Sequence, residues 1–415
     1  MPRRLLPVRP ELDPLLLQAE ELLHGVRAGD PAARMEFAAE HPDPPAPEAA
    51  GLDDARLALA RSYGVSDWPR LVQACRVVEA ILNDDVVALR TLVEAYPRLL
   101  HEPARGAPGN WGPPMSYAAN LGRDRIIRML RDQGAQDLQW AFDRACLQGR
   151  IDTARLLYEM GARPAADAVM GPAETQSGSG MALLLELGAS IQDAQGDPLA
   201  PVAMVLETYC RNPGGKHRCL ELFAAHGIEL PDTPPMAVHR GRIDLLSAHV
   251  AADSSVLDRT WTHDEIWPRA LGCHEDESLA LHGTPLAGGT LLHLCVDNDE
   301  MELATWLLDH GADPDAPAAI DADGFGGHTA LFGCVVSQPY EVGLRRDDGM
   351  ARLLLDRGAD PNVRASLRKR LRFVDDETLH EFHDVTPLSW GDAFHDRRWV
   401  APAAMAAIEA AGGVR

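Results

Sequence analysis

Lysine is nearly missing from this chain. It occurs only as Lys216 and Lys369 among 39 basic residues, so arginine carries almost all the positive charge. Acids number 62, and the net charge is −23. A surface of that sign repels phosphate backbones and argues against nucleic acid as a general partner. Aromatic residues are only 5% of the chain, against 46% hydrophobic residues in all, so a core must be built mainly from Leu, Ala and Val. The seven cysteines, Cys75 to Cys334, are odd in number, scattered, and contain no Cys-x-x-Cys pair. This argues against a disulfide frame or a zinc ribbon and for buried thiols in a reducing compartment. No apolar run reaches the ~18 residues of a membrane-spanning helix. Met1-Pro2-Arg3-Arg4 is basic, but Pro7, Arg9 and Pro10 break the leucine run behind it, so no signal-peptide core forms. A cytoplasmic protein with no membrane partner is expected.

What is present is repetition. The stretch from Gly289 to Asn362 contains Thr290-Leu291-Leu292-His293 and, further on, Gly311-Ala312-Asp313-Pro314. Both halves recur, as Thr329-Ala330-Leu331-Phe332 and Gly358-Ala359-Asp360-Pro361. Between them, Leu303, Trp306 and Leu307 fall at the i, i+3, i+4 spacing of a half-buried helix. Thr290 can cap a helix with its side-chain oxygen. Gly311 stands where a helix end needs a left-handed residue, and Pro314 blocks continuation.

This head and tail resemble an ankyrin repeat: a cap, a short helix, a second helix, then Gly-Ala-Asp and a loop. The resemblance implies an all-α solenoid whose job is to bind another protein. It also implies that His293 hydrogen-bonds within its head and ties neighbouring repeats together. Phe332 and Ser389 replace that histidine in two other heads, which should lack the tie.

Further tails follow apolar runs at Gly134, Gly161, Gly188, Gly227, Gly311 and Gly358, at intervals of 27, 27, 39, 84 and 47 residues. The widest interval accommodates a degenerate repeat near Met236–Ala251 and an insertion. Inter-helix turns recur at Gly122-Arg123, Gly149-Arg150 and Gly241-Arg242. About seven helix-pair repeats are expected, each too small to bury its own stripe and stabilised by its neighbours. The expected organisation is N-terminal helices over 1–41, then a Pro-rich linker and helical leader over 42–80. Repeats follow over 81–251, an insertion over 252–289, and repeats again over 290–400 with insertions 316–327 and 363–385. A capping helix and tail occupy 401–415. The leader, with Asp53 as one candidate N-cap, Ser66 or Asp67 as the other and Trp68 as a core anchor, is similar to one that precedes the repeats in many bacterial ankyrin-repeat proteins. The segment from Arg364 through Trp390, with Arg397-Arg398-Trp399 beyond it, resembles the end of a group of such proteins.

Function in repeat proteins tends to sit on loops that the core does not need. The first insertion carries His263, Cys273, His274, Glu275, Asp276, Glu277 and His282. The second carries Asp321, Asp323 and Phe325, and the third opens on the one basic cluster, Arg364 to Arg372. As a helix, Arg364, Arg368 and Arg372 would form a charged stripe. A hairpin pairing them with Asp375, Asp376 and Glu377 is the preferred reading. The candidate partner-binding residues are Trp111, Asp323, Phe325, Arg368, Arg370, Arg372, Phe373, His380 and His383. No catalytic residue, cofactor or metal is assigned. The leading expectation is a non-enzymatic scaffold or adaptor. The alternative is a metal-dependent enzyme or sensor on the His-rich insertions 262–289 and 363–395. There His380, His383 and Asp384, with His395 as a further candidate, would be ligands if helical spacing brought them together. Cys273-His274 is a further candidate nucleophile pair, weakened because adjacent side chains rarely face each other.

Overall fold

The computed structural model describes residues 4, 6–7, 9–276 and 282–415. Met1-Pro2-Arg3 and Glu277, singled out in the sequence, lie outside the described residues. The chain is mostly helical and divides into two compact units, Met1–Arg163 and Pro164–Arg415.

The first unit begins with α1 (Leu12–Ala28), α2 (Pro31–Glu40) and α3 (Leu52–Ser62). Leu15, Ala19, Leu22 and Val26 make the buried stripe of α1, packed with Phe37, Ala58 and Leu59. Asp53 does not cap α3. Helix geometry starts at Leu52, so Gly51 is the N-cap, and its N–H donates to Asp54 at 2.8 Å. Asp67 does cap α4 (Trp68–Leu82), accepting from the Arg70 N–H at 2.8 Å, with Pro69 in the first turn. Trp68 is half-buried against the same core, with the Arg56 guanidinium 5.6 Å from its ring centre.

Three helix pairs complete this unit: α4 with α5 (Val86–Ala95), α6 (Pro114–Asn120) with α7 (Asp124–Asp132), and α8 (Leu138–Leu147) with α9 (Ile151–Glu159). Neighbouring pairs pack α4 on α6, α6 on α8 and α5 on α7. The pair α4–α5 ends at Tyr96 rather than glycine, so it leaves no tail signature.

The second unit repeats the plan. Its pairs are α10 (Met170–Glu174) with α11 (Gly178–Glu186), α12 (Ala200–Glu207) with α13 (Pro213–Ala225), and α14 (Pro234–His239) with α15 (Ile243–Ala252). After α16 (His263–Ile266) come α17 (Leu291–Asp297) with α18 (Met301–Asp309), then α19 (Ala330–Val335), α20 (Gln338–Glu341) and α21 (Gly349–Asp356). The last pair is α22 (Pro387–Ala393) with α23 (Pro402–Ala410). Neighbours stack through α10·α12, α11·α13, α14·α17, α17·α19, α19·α22 and α21·α23.

One backbone requirement runs through both units. Where the turn inside a pair reverses direction within a few residues it needs a left-handed residue; the longer turns of α12–α13 and α22–α23 have none. Gly122, Gly149 and Gly241 supply it at φ +70, +63 and +65. Asp84, Gln176 and Asp299 occupy the same place in other pairs at φ +54, +52 and +58. A non-glycine residue there costs on the order of 1 kcal/mol, which neighbouring contacts must offset.

In α18 the buried stripe is Leu303, Ala304 and Leu307. Trp306 is only half-buried, against the expectation that it joins the stripe. Its ring stacks on His310 at 3.9 Å, at the edge of the packed face.

The third insertion adds an antiparallel hairpin, β1 (Ala365–Lys369) with β2 (His380–Val385). Leu367 pairs with Phe382, and both are buried. Phe382 meets Trp390 edge-on at 4.7 Å, which fixes the hairpin to α22. The register breaks between Ala365 and Leu367, opposite Asp384 at φ +49.

Replacing Leu307, fully buried between stacked helices, with Ala is expected to cost ~2–5 kcal/mol through lost contacts and a residual cavity. Urea denaturation followed by circular dichroism measures this. A loss below about 1 kcal/mol would contradict the packing described for α18.

Candidate functional site

In the second unit a groove of about 770 Å³ opens between helices and inserted loops. That is within the ~300–1,000 Å³ of ligand-binding clefts. Its apolar lining includes Met170, Ala200, Ala203, Met204 and Trp399. Its polar lining includes Glu174, Glu207, Tyr209, His274, Gln338 and Glu341. The hairpin loop contributes Arg372, Phe373 and Val374.

The groove is held open from below by buried polar contacts. Gln176, at the left-handed turn of the α10–α11 pair, donates its amide to the Val205 carbonyl at 2.9 Å. Its Oε1 accepts from the Asn212 N–H at 2.7 Å. The Gln338 amide donates to the Tyr209 carbonyl at 2.7 Å. Beneath, Arg211 donates to the Asp297 carboxylate at 2.8 Å and to the Thr208 carbonyl at 2.7 Å. Lys216 is 1% exposed and bridges Asn298 at 2.9 Å and Glu300 at 3.0 Å. His217 also reaches Glu300, at 2.8 Å. Burial would raise the Glu300 pKa, but Lys216 and His217 outweigh it and hold the carboxyl below its ordinary value. Arg345 pairs with Asp299 in the same turn. Residues 211–217 are thus fastened to residues 297–300 by charges that have left water.

Glu207 sits in the groove floor, 6% exposed, and takes both the backbone N–H and the ring of His274, at 2.7 and 2.8 Å. The candidate Cys273-His274 nucleophile pair, already disfavoured by adjacency, does not form. Cys273 is buried, burial pushes its thiol pKa up, and the His274 ring is turned to Glu207.

The predicted partner-binding residues divide into four places, the last of them that of His380, beside His395. Arg372 and Phe373 are at the groove. Phe373 is 74% exposed at φ +61, and its N–H donates to Glu377 at 2.7 Å. Arg372 pairs with Glu377 at 3.4 Å, as the hairpin reading expects, but Arg364 pairs with Asp384 instead and Arg368 with the second insertion. Asp323, Phe325, Arg368 and His383 form a second cluster, where the second insertion docks on β1. Arg368 donates to Asp321 at 2.7 Å and Asp323 at 3.0 Å, and lies 5.0 Å from the Phe325 ring centre. Phe325 also meets His383, at 5.3 Å, and the Gly326 N–H donates to the Ser366 carbonyl. Arg370 is exposed beside these. Trp111 belongs to the first unit, packed on Tyr117 at 4.7 Å beside a cavity of about 180 Å³.

His380 and His383 lie on a strand, not a helix, so a three-residue spacing sends them to opposite faces. His380 stacks on His395 at 3.9 Å and contacts Asp376 at 2.9 Å. Among the described residues no three His, Cys, Asp or Glu side chains are grouped to hold a metal ion.

Sequence reasoning missed Glu174, Glu207, Tyr209, Gln338 and Glu341. They lie on α10, at the end of α12 and on α20, and no spacing in the chain links these three places. Of the groove's other lining residues, His274, Arg398 and Trp399 stood in segments singled out in the sequence.

His293 behaves as the resemblance implies. Its Nδ1 accepts the Thr290 N–H at 3.1 Å, and its Nε2 donates to the His328 carbonyl at 3.0 Å, across to the segment entering α19. Ser389 instead bonds only within its own head, donating or accepting at Thr386.

The family model described as ankyrin repeat matches residues 287–319, which span α17, α18 and the tail after them. The chain carries an ankyrin repeat there. Among solved structures, the crystal structure of the human ASB11 ankyrin repeat domain is similar at 18% identity, covering 73% of this chain and 99% of its own. Its TM-score of 0.25 is too low to support any statement about shared architecture. No match was found among curated proteins. No described helix is long and apolar enough to cross a membrane.

Two outcomes follow. Lys216→Met should destabilise by about 3–5 kcal/mol, because it strands Glu300 in the interior. Lys216→Met with Glu300→Gln should recover part of that loss in urea titrations; no recovery would show that the pair is not coupled. The second concerns acid. Burial, then the neighbouring His328, push the His293 pKa down from 6.5 to about 3. The unfolded chain takes up a proton in that window which the folded protein refuses, so this contribution to stability is complete above pH 6.5 and falls as pH drops toward 3. His293→Gln should flatten the dependence of the urea midpoint on pH across the window. An unchanged slope would place His293 in contact with solvent.

Proposed function

We propose that this protein is a non-enzymatic interaction scaffold, and that the groove of the second unit is where it holds a segment of another protein. Ankyrin repeats as a class are protein-interaction modules, and one is present at residues 287–319. The α14–α15 pair shares its left-handed turn, at Gly241, and α21 shares its glycine tail, at Gly358, which supports reading the flanking helices as divergent repeats of the same kind. On this reading α1–α3 cap the first pair and α23 ends the stack.

The observation that carries the proposal is Phe373. A large aromatic side chain stands 74% exposed on a left-handed backbone, at the rim of a largely apolar groove. Exposing an aromatic and straining its backbone both cost free energy. A partner's apolar side chain closing over Phe373 would recover the first cost. Aromatic side chains are also the residues most often found to dominate interface energy. Arg372, on the same loop, supplies a charged rim.

Phe373→Ala is expected to reduce recovery of bound proteins in quantitative affinity capture by tenfold or more, about 1.4 kcal/mol, with an unchanged melting temperature. Trp111→Ala, in the other unit, is the comparison. Undiminished capture by the Phe373 variant would remove the groove from the binding surface.

A further inference from the structure

We propose that the groove's occupant is a basic, apolar peptide segment, whose Arg or Lys side chains meet Glu174 and Glu341. This rests on the reading of the groove as a protein-binding surface and adds its specificity.

The argument is one of charge left over. The two arginines that line the groove are already neutralised from their own loops. Arg372 pairs with Glu377, and Arg398 makes a two-pronged pair with Asp396 at 2.6 and 3.0 Å. Of the carboxylates lining the groove, Asp197 accepts the Leu199 N–H at 2.9 Å in its own loop, and two others are not matched by a cation. Among the described residues, the Glu174 carboxylate accepts only the Tyr209 hydroxyl, at 3.2 Å. Glu341 is half-buried in the same lining; burial raises its pKa, the more distant Arg398 and Arg346 only partly offset that, and no described side-chain cation lies within 4.0 Å of it. Glu207, in the floor, is taken by His274. Near Glu341 the groove therefore asks for a cation that would desolvate with it.

The lining next to those carboxylates is Met170, Ala200, Ala203, Met204 and Phe373. A small hydrated cation leaves that apolar surface uncovered. An extended or helical peptide with leucine-like residues beside its basic ones covers both. Methionines also adapt to varied apolar side chains. An acidic peptide would meet uncompensated carboxylates instead.

The test uses the full chain and fluorescence anisotropy with a labelled peptide of alternating leucine and arginine. Leu/Gln and Leu/Glu versions are the comparison peptides, and spermidine is the competitor. The Leu/Arg peptide is expected to bind at least about tenfold tighter than the Leu/Gln peptide, a difference of about 1.4 kcal/mol. Glu174→Gln and Glu341→Gln, on different helices, should each weaken it several-fold, while Glu20→Gln, on the exposed face of α1, should not. A chain of net charge −23 attracts any cation weakly, so equal loss in all three variants, or none in any, overturns the proposal. So does spermidine displacing the label as well as unlabelled peptide, which would make the site one for small cations. Binding of the Leu/Gln peptide that depends on Phe373 but shows no arginine preference removes the basic specificity and leaves the groove standing. Failure of every peptide to depend on Phe373 removes both.

Discussion

Two short helices cannot cover each other. A pair such as α17 and α18, of 7 and 9 residues, has one mutual contact face and a second apolar surface left over. That surface is buried only by the next pair, through contacts such as α17 on α19 and α14 on α17. Stability therefore belongs to adjacency rather than to any one element. The same constraint frees the connections. A loop between pairs can lengthen greatly without opening the core, because closure entropy grows slowly with loop length. The hairpin and the loop before α17 are both accommodated on these terms.

Apolar contact has little direction, and stacked pairs could slide on one another. Directional bonds fix the register. His293 reaches from its own helix start to the His328 carbonyl, and it can do so only as the neutral tautomer with its proton on Nε2. The charges of Arg211, Lys216, Asp297 and Glu300 do comparable work between residues 211–217 and 297–300. Burying them is costly, and their mutual pairing offsets that cost only in one arrangement. This gives a physical reason for Lys216, one of two lysines in the chain, to be almost wholly enclosed. A compact ammonium fits among Asn298, Glu300 and the helix around it where a planar guanidinium would need a wider space.

The groove follows from those fixings. Gln176 and Gln338 hold the backbone of residues 205–212 by hydrogen bonds from their side-chain amides, which fixes the floor, while its rim comes from two inserted segments. The basic cluster that stood out in the sequence is divided by this arrangement. Arg368 is absorbed by Asp321 and Asp323, and holds one insertion to another. Arg372 and Phe373, a few residues on, turn the other way and reach the groove. Alternation along β1 and the turn after it separates neighbours in the chain by function.

Local chemistry was legible in the sequence by itself. Helix ends at Gly311 and Gly358, the Asp67 cap, the Thr290–His293 head and the hairpin pairing of Arg372 with Glu377 all depend on residues near each other in the chain. Each needs only a side chain's reach or a backbone's allowed φ. Other features were decided by tertiary structure. Asp299 and Gln176 take left-handed turns that glycine takes elsewhere, because distant partners hold them there. Trp306 leaves the buried stripe for His310. The groove's carboxylates, Glu174 and Glu341, are 167 positions apart, and no periodicity joins them. A stacked array brings such residues together by the rotation and spacing of whole pairs, which depend on every intervening loop and contact.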